Sequence, residues 1–233
     1  MQKPALFFDF FGTLVSYINY NDDRDYPRSV AFLRSQGIFT DQRSFLDQLV
    51  QTFIEHEQKA VVTHEEYAWL DCAAAVVQKM TGQPAMWDVA DGLTETYLSE
   101  WCEDVSYIEG VREMLTRLQD GYDLALITNT HSTPMVEDLM MDMNIRHFFP
   151  TFVSSIDYGH RKPSPRIFEH AMGQLGSTPE NSFYVGDTYE ADYVGATGAG
   201  MGVFLIDPDA KHDIASHERI DSILGLEAAL ERR

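Results

Sequence analysis

Apolar positions along the chain follow two different grammars. Ala5–Phe11 is a short apolar, aromatic run closed by Gly12, which predicts a buried strand. From Val15 to Asp104 the apolar residues instead recur at helical spacing. Phe45, Leu46, Leu49, Val50, Phe53 and Ile54 share one helix face, and Tyr67, Leu70, Ala74 and Val77 share another. Thr63 and Glu66 have the spacing of a capping box before the second face, and Gly82 can end that helix. A further helix is predicted from Trp87 to Trp101, and no strand is predicted to interrupt the block.

After Ile108 strands and helices alternate. Val111, Met114, Leu115 and Leu118 mark a helix that Gly121 can stop, and Asp123–Ile127 reads as a strand. Thr133-Pro134 opens a helix with Val136, Leu139, Met140 and Met143 on its face. Thr151–Ser154 is a short strand, and Ser164-Pro165 opens a helix carrying Ile167, Phe168, Ala171 and Leu175. Ser182–Val185 and Gly202–Ile206 are strands with a helix between them, and a last helix is predicted near Ile223–Leu230. Such alternation implies a parallel sheet covered on both faces. The expected fold is therefore a doubly wound α/β core, residues 1–15 and 105–233, with an all-helical domain, residues 16–104, inserted after the first strand.

Composition narrows the class. A chain of 233 residues, 44% of them apolar, is long enough for a full core. Its 37 acidic and 17 basic side chains give a formal charge of −20, a field that repels a nucleic-acid backbone. No apolar run approaches the roughly 18 residues of a membrane span. Asp9 interrupts the apolar N-terminal stretch and no small-residue cleavage site follows, against a signal peptide. Cys72 and Cys102 lack metal-binding spacing and read as free thiols, so a cytoplasmic location is expected. The five lysines are Lys3, Lys59, Lys79, Lys162 and Lys211, so one at a strand end stands out.

In an open parallel sheet, ligands bind beyond the carboxyl ends of the strands. The first strand delivers Asp9 there with Phe11-Gly12-Thr13, and the second delivers Thr128-Asn129. The third leads to Lys162, and the fourth gives Asp187 with Asp192. Carboxylates, a hydroxyl and an ammonium on one edge suit a divalent cation plus a phosphoryl group. Taken singly, each of these residues has a structural alternative as a turn residue, a helix cap or a solvated lysine.

Together they resemble the four motifs of the haloacid dehalogenase superfamily. Asp9-Phe-Phe-Gly-Thr-Leu, Leu-Ile-Thr128-Asn, Lys162-Pro and Val-Gly-Asp187-Thr-Tyr-Glu-Ala-Asp192 occur in that family's order, and the resemblance spans the chain. It implies a hydrolase with Asp9 as nucleophile, and a helical cap formed by the insertion. Thr128 and Lys162 would hold phosphoryl oxygens, with Gly12, Thr13 and Asn129 contacting substrate. Magnesium would sit on Asp9, the Phe11 carbonyl and Asp187, supported by Asp192. The expected substrate is a small phosphorylated metabolite. The loop Tyr17–Arg24 would face the site, with Arg24 able to recognise an anionic group. His131 and His160 lie near the motifs but carry no expected catalytic role.

One position departs from the family's phosphatases. The second residue after their nucleophile is an aspartate that protonates the leaving oxygen; here it is Phe11, which has no proton to give. Such help is typically worth about 10²–10⁴ in rate. An aromatic residue at this position resembles the metal-independent 2-haloacid dehalogenases. Their fourth motif, however, carries Ser-Ser-Asn rather than Gly-Asp, and their early cap has a Trp-Arg pair absent after Tyr17. Phosphonatases also lack the second aspartate but need a cap lysine, for which Lys59 and Lys79 are the candidates. A catalytically weak binding protein on the same fold is the remaining alternative.

Overall fold

A computed structural model describes residues 3–17 and 25–232. Apart from Tyr17, the Tyr17–Arg24 loop, Arg24 included, lies outside the described residues. In chain order the elements begin with β1 (Ala5–Phe8) and β2 (Val15–Tyr17). The helices α1 (Pro27–Ser35), α2 (Gln42–Thr63), α3 (Trp69–Thr81) and α4 (Trp87–Cys102) follow. Then come β3 (Val105–Tyr107), α5 (Val111–Leu118), β4 (Asp123–Thr128), α6 (Thr133–Asp142) and β5 (Thr151–Ser154). Next are α7 (Ser155–Tyr158), α8 (Pro165–Leu175) and β6 (Ser182–Gly186), then a π-helical turn at Tyr189–Val194. The chain closes with α9 (Gly195–Gly198), β7 (Gly202–Ile206), β8 (Arg219–Ile220) and α10 (Leu226–Leu230).

These elements form two units, Met1–Tyr17 with Ser106–Arg233, and Ile18–Val105. The first is a doubly wound α/β core. Its sheet runs β5-β4-β1-β6-β7-β8, with every neighbouring pair parallel. Strand β1 is central, with Phe7 beside Ala125 of β4 and Tyr184 of β6. Both sheet faces are covered, which is why these strands read as apolar runs rather than alternations. Ala5, Phe7, Ala125, Ile127, Val153 and Tyr184 pack with Ile167, Phe168, Ala171 and Met172 of α8. On the other face Phe8 meets Phe149 edge-on, ring centroids 5.8 Å apart.

The second unit is helical. Its core joins Tyr26, Leu33, Phe45, Leu49, Trp69 and Tyr97, with Tyr97 stacked on both Tyr26 and Trp69. Gly82, at φ +67°, ends α3 in a left-handed conformation that glycine takes without strain. Among the described residues no helix is long and apolar enough to cross a membrane.

Several boundaries differ from the periodicity. Strand β1 stops at Phe8 rather than Phe11, because the Phe10 carbonyl gathers the N–H groups of Thr13, Leu14 and Val15 and curls the chain into a turn. Strands β2 and β3 pair with each other at the edges of the block read as purely helical; three residues are too few to show a period-two pattern. Thr63 and Glu66 do not make a capping box. Thr63 is the last residue of α2, where its hydroxyl donates to the Lys59 carbonyl and accepts from Glu65 N–H, and α3 begins only at Trp69. The helix predicted between β6 and β7 begins as the π-helical turn. The C-terminal one begins as a 3₁₀ turn at Ile223–Gly225.

Candidate active site

The site lies within the α/β unit, at the carboxyl end of its central strands. Asp9 follows β1, and its N–H still bonds the Val185 carbonyl at 2.9 Å, so its position is set by the sheet. It stands on the Phe7 face, since side chains two residues apart in a strand share a face. The Lys162 ammonium donates to Asp9 Oδ1 at 2.8 Å, Asp192 Oδ1 at 2.6 Å and Tyr184 Oη at 2.8 Å. All four residues are buried.

Two glycines make room for the carboxylates. A Cβ on Gly12 would collide with the Asp187 carboxylate, and one on Gly186 would collide with that of Asp192. Gly12 also adopts φ +80°, which disfavours any side chain there. Thr13 Oγ1 is buried with no hydrogen-bond partner, so its polar capacity is unspent four residues from Asp9. Thr128 is buried, and its hydroxyl has only a long contact to the Asn129 carbonyl, 3.5 Å.

Asn129, expected to contact substrate, spends its side chain on the protein. Its Oδ1 accepts from Lys162 N–H at 2.8 Å and its Nδ2 donates to the Lys162 carbonyl at 3.0 Å. Asp192, expected to support a metal, is likewise committed. Oδ1 accepts from Lys162 and Tyr184, and Oδ2 accepts from Thr188 N–H.

Ligand atoms of Asp9, Asp187 and Asp192 all lie within 4.8 Å of one another. Three carboxylates around one ammonium leave an excess of two negative charges. Burial is the main cause that pushes Asp9 up to about 7; Lys162 is the largest influence against it, and Asp192 and Asp187 add repulsion. Burial and then Asp192 push Asp187 up to about 6. For Lys162, burial alone favours the neutral amine, but Asp192 and Asp9 outweigh it and raise the pKa. The donor set is all oxygen and doubly negative in excess, so the residues present fit a hard dication such as magnesium.

Phe11 is half-buried. Its ring packs edge-on against Phe10 at 5.0 Å and Tyr17 at 5.8 Å. Burial, followed by the charges of Asp187 and Asp9, pushes the Tyr17 hydroxyl up to about 12. His160 sits beside Arg166 and Tyr158. Sequence reasoning passed over Tyr184. The available signal is a hydroxyl between the apolar Phe183 and Val185, three residues before Asp187.

The family model of haloacid dehalogenase-like hydrolases matches residues 37–206, well over half the chain. The chain is 28% identical over 218 residues to a ribulose-1,5-bisphosphate 5-phosphatase of Halopiger xanaduensis, covering 91% of this chain and 88% of that protein. It is 39% identical over 89 residues to a glyceraldehyde 3-phosphate phosphatase of Methanothermobacter thermautotrophicus, a match spanning 38% of this chain and 39% of that one. Among solved structures, a 2-haloacid dehalogenase from Pseudomonas syringae superposes with a TM-score of 0.70 at 19% identity, covering 100% of this chain and 99% of that one.

Proposed function

The chain belongs to the haloacid dehalogenase-like hydrolases, and from that membership and its site we propose that it removes a phosphoryl group from a small metabolite through a covalent aspartyl intermediate. The observation that carries this reading is the seat of Asp187 against Gly12 beside Asp9. It creates an excess of negative charge that a metal-free dehalogenase has no use for and a dication would neutralise. Two relatives named as sugar-phosphate phosphatases support the same substrate class.

An Asp9 carboxylate oxygen attacks phosphorus, and the bond from phosphorus to the leaving oxygen breaks. Water then hydrolyses the aspartyl phosphate, which releases inorganic phosphate and regenerates Asp9. Lys162 supplies positive charge at the nucleophile, and Thr128 and Thr13 donate to phosphoryl oxygens. Asp9, Asp187 and the Phe11 backbone carbonyl would hold magnesium, whose charge offsets the repulsion between a carboxylate and a phosphate. Asp192 serves this site by fixing Lys162. Phe11 supplies no proton, so the leaving oxygen takes its proton from water or departs as an anion.

The test is a magnesium-dependent turnover screen over phosphate esters, including triose and pentulose phosphates. Asp9→Asn is expected to abolish turnover with the fold intact, and Asp187→Ala to weaken magnesium binding by calorimetry. Undiminished activity in Asp9→Asn sinks the mechanism. Metal-independent halide release from 2-haloacids reassigns the enzyme to the dehalogenases.

A further inference from the structure

An ammonium has three N–H bonds to give, and the three partners of Lys162 use all of them. Two partners are carboxylates. The third is the phenol of Tyr184, from β6. Register sets Tyr184 beside Phe7, on the face that carries Asp9 two residues later. From there its hydroxyl reaches past β1 to the Ile127 carbonyl of β4, at 3.2 Å. The same hydroxyl lies 3.0 Å from Asp192 Oδ1, the oxygen that also receives Lys162. Lys162, Tyr184 and Asp192 thus close a buried triangle with edges of 2.6, 2.8 and 3.0 Å.

We propose that Tyr184 is a positioning residue, whose hydroxyl acts with Asp192 to aim the remaining N–H of Lys162 at Asp9. The proposal rests on the reading of Asp9 as nucleophile. A lysine side chain has four rotatable bonds, and carboxylate attraction alone is weakly directional. A phenol fixed to strands on both sides of β1 supplies the missing direction. Its oxygen accepts from the ammonium, while its single proton goes to Asp192 or to the Ile127 carbonyl. An ammonium held in this way stays beside Asp9 as the phosphoryl group is transferred, so its loss is felt in the chemical step more than in ground-state binding.

Tyr184→Phe keeps the ring and deletes the hydroxyl. With p-nitrophenyl phosphate as probe, kcat is expected to fall about tenfold while KM changes less than about threefold. In a Lys162→Met background the same substitution is expected to change kcat by less than about twofold, because nothing is left to position. Equal losses in both backgrounds overturn the proposal, since Tyr184 would then act independently of Lys162.

A readout without turnover separates this from failure of the functional reading. The chain has five lysines, so in protein labelled with ¹⁵N-lysine the Lys162 ammonium resonance is identified by its loss in Lys162→Met. It is expected to exchange slowly in the wild type and to broaden or shift in Tyr184→Phe, with the other four unmoved. If Tyr184→Phe does not fold, 3-fluorotyrosine installed at position 184 alone perturbs the phenol without removing it, and must shift the same resonance. A Lys162 resonance that ignores both changes overturns the proposal. Lack of turnover in the wild type, with the resonance responding, faults the phosphatase reading alone.

Discussion

Asn129 holds Lys162 by its backbone, accepting from its N–H at 2.8 Å and donating to its carbonyl at 3.0 Å. The amide thereby joins the loop after β4 to the loop before α8, and places the lysine whose ammonium meets Asp9. Asn129→Asp keeps the shape but sets a carboxylate oxygen against the Lys162 carbonyl. We expect kcat to fall about tenfold or more, with KM little changed. A raised KM at constant kcat would instead point to direct substrate contact by Asn129.

The carboxylate cluster carries a pH signature. With no cation bound, burial is the first cause that pushes Asp9 up to about 7 and Asp187 up to about 6, from 3.8 for a free carboxyl. Between those values the folded protein keeps protons that the unfolded chain has released. The two groups therefore cost stability as pH rises from about 4 to 7, and the cost is constant above that range. Asp9→Asn does not titrate. In chelator, the wild type should lose melting temperature relative to Asp9→Asn between about pH 4 and 7, with no further change above. Magnesium should recover most of that loss at the upper end. A gap between the two proteins that is independent of pH rejects this electrostatic account.

Much of this is legible in the sequence itself. The apolar runs of β1, β4, β6 and β7 could be read because both faces of a parallel sheet are buried, and their carboxyl ends then located Asp9, Thr128 and Asp187. The three-residue strands β2 and β3 were invisible because their pairing is non-local and too short for a period. The capping box failed because Thr63 satisfies its hydroxyl within the end of α2. The commitments of Asn129, Asp192 and Tyr184 were also out of reach. Spacing states which residues reach an edge, but not which of them bond each other there.

In the helical unit, Glu100 performs a cap that α1 lacks from its own sequence. Tyr26 at the N-cap has no side-chain cap bond. The buried Glu100 carboxylate instead accepts from the N–H groups of Arg28 and Ser29, at 2.7 and 2.9 Å, and from the Ser29 hydroxyl. Glu100→Gln replaces one acceptor with a donor and removes negative charge from the helix N-terminus. A loss of about 1–3 kcal/mol is expected, read as a lowered melting transition with faster amide exchange in α1. Unchanged exchange in Val30–Leu33 would show that the carboxylate does not hold the helix.

The last prediction concerns Phe11. Its ring lies against Phe10 and Tyr17, and the raised pKa of the Tyr17 hydroxyl makes it a poor proton donor near neutrality. If the acid–base position is the only part of the phosphatase machinery that has changed, Phe11→Asp should restore it. The backbone carbonyl stays, and a carboxyl gains reach toward the leaving oxygen. Turnover of an alkyl phosphate, whose leaving group needs a proton, should rise by about a hundredfold or more. An aryl or acyl phosphate should gain less at the first step, because its oxygen departs without one; any gain there would come from hydrolysis of the aspartyl phosphate. The opposing account makes Phe11 part of an aromatic wall shaped for an apolar substrate. An aspartate would then add a fourth carboxylate to a cluster already in excess of negative charge, and lose its packing against Tyr17. No gain on either ester class, together with a lowered melting temperature, would reject the missing-acid account and make Phe11 a determinant of substrate shape.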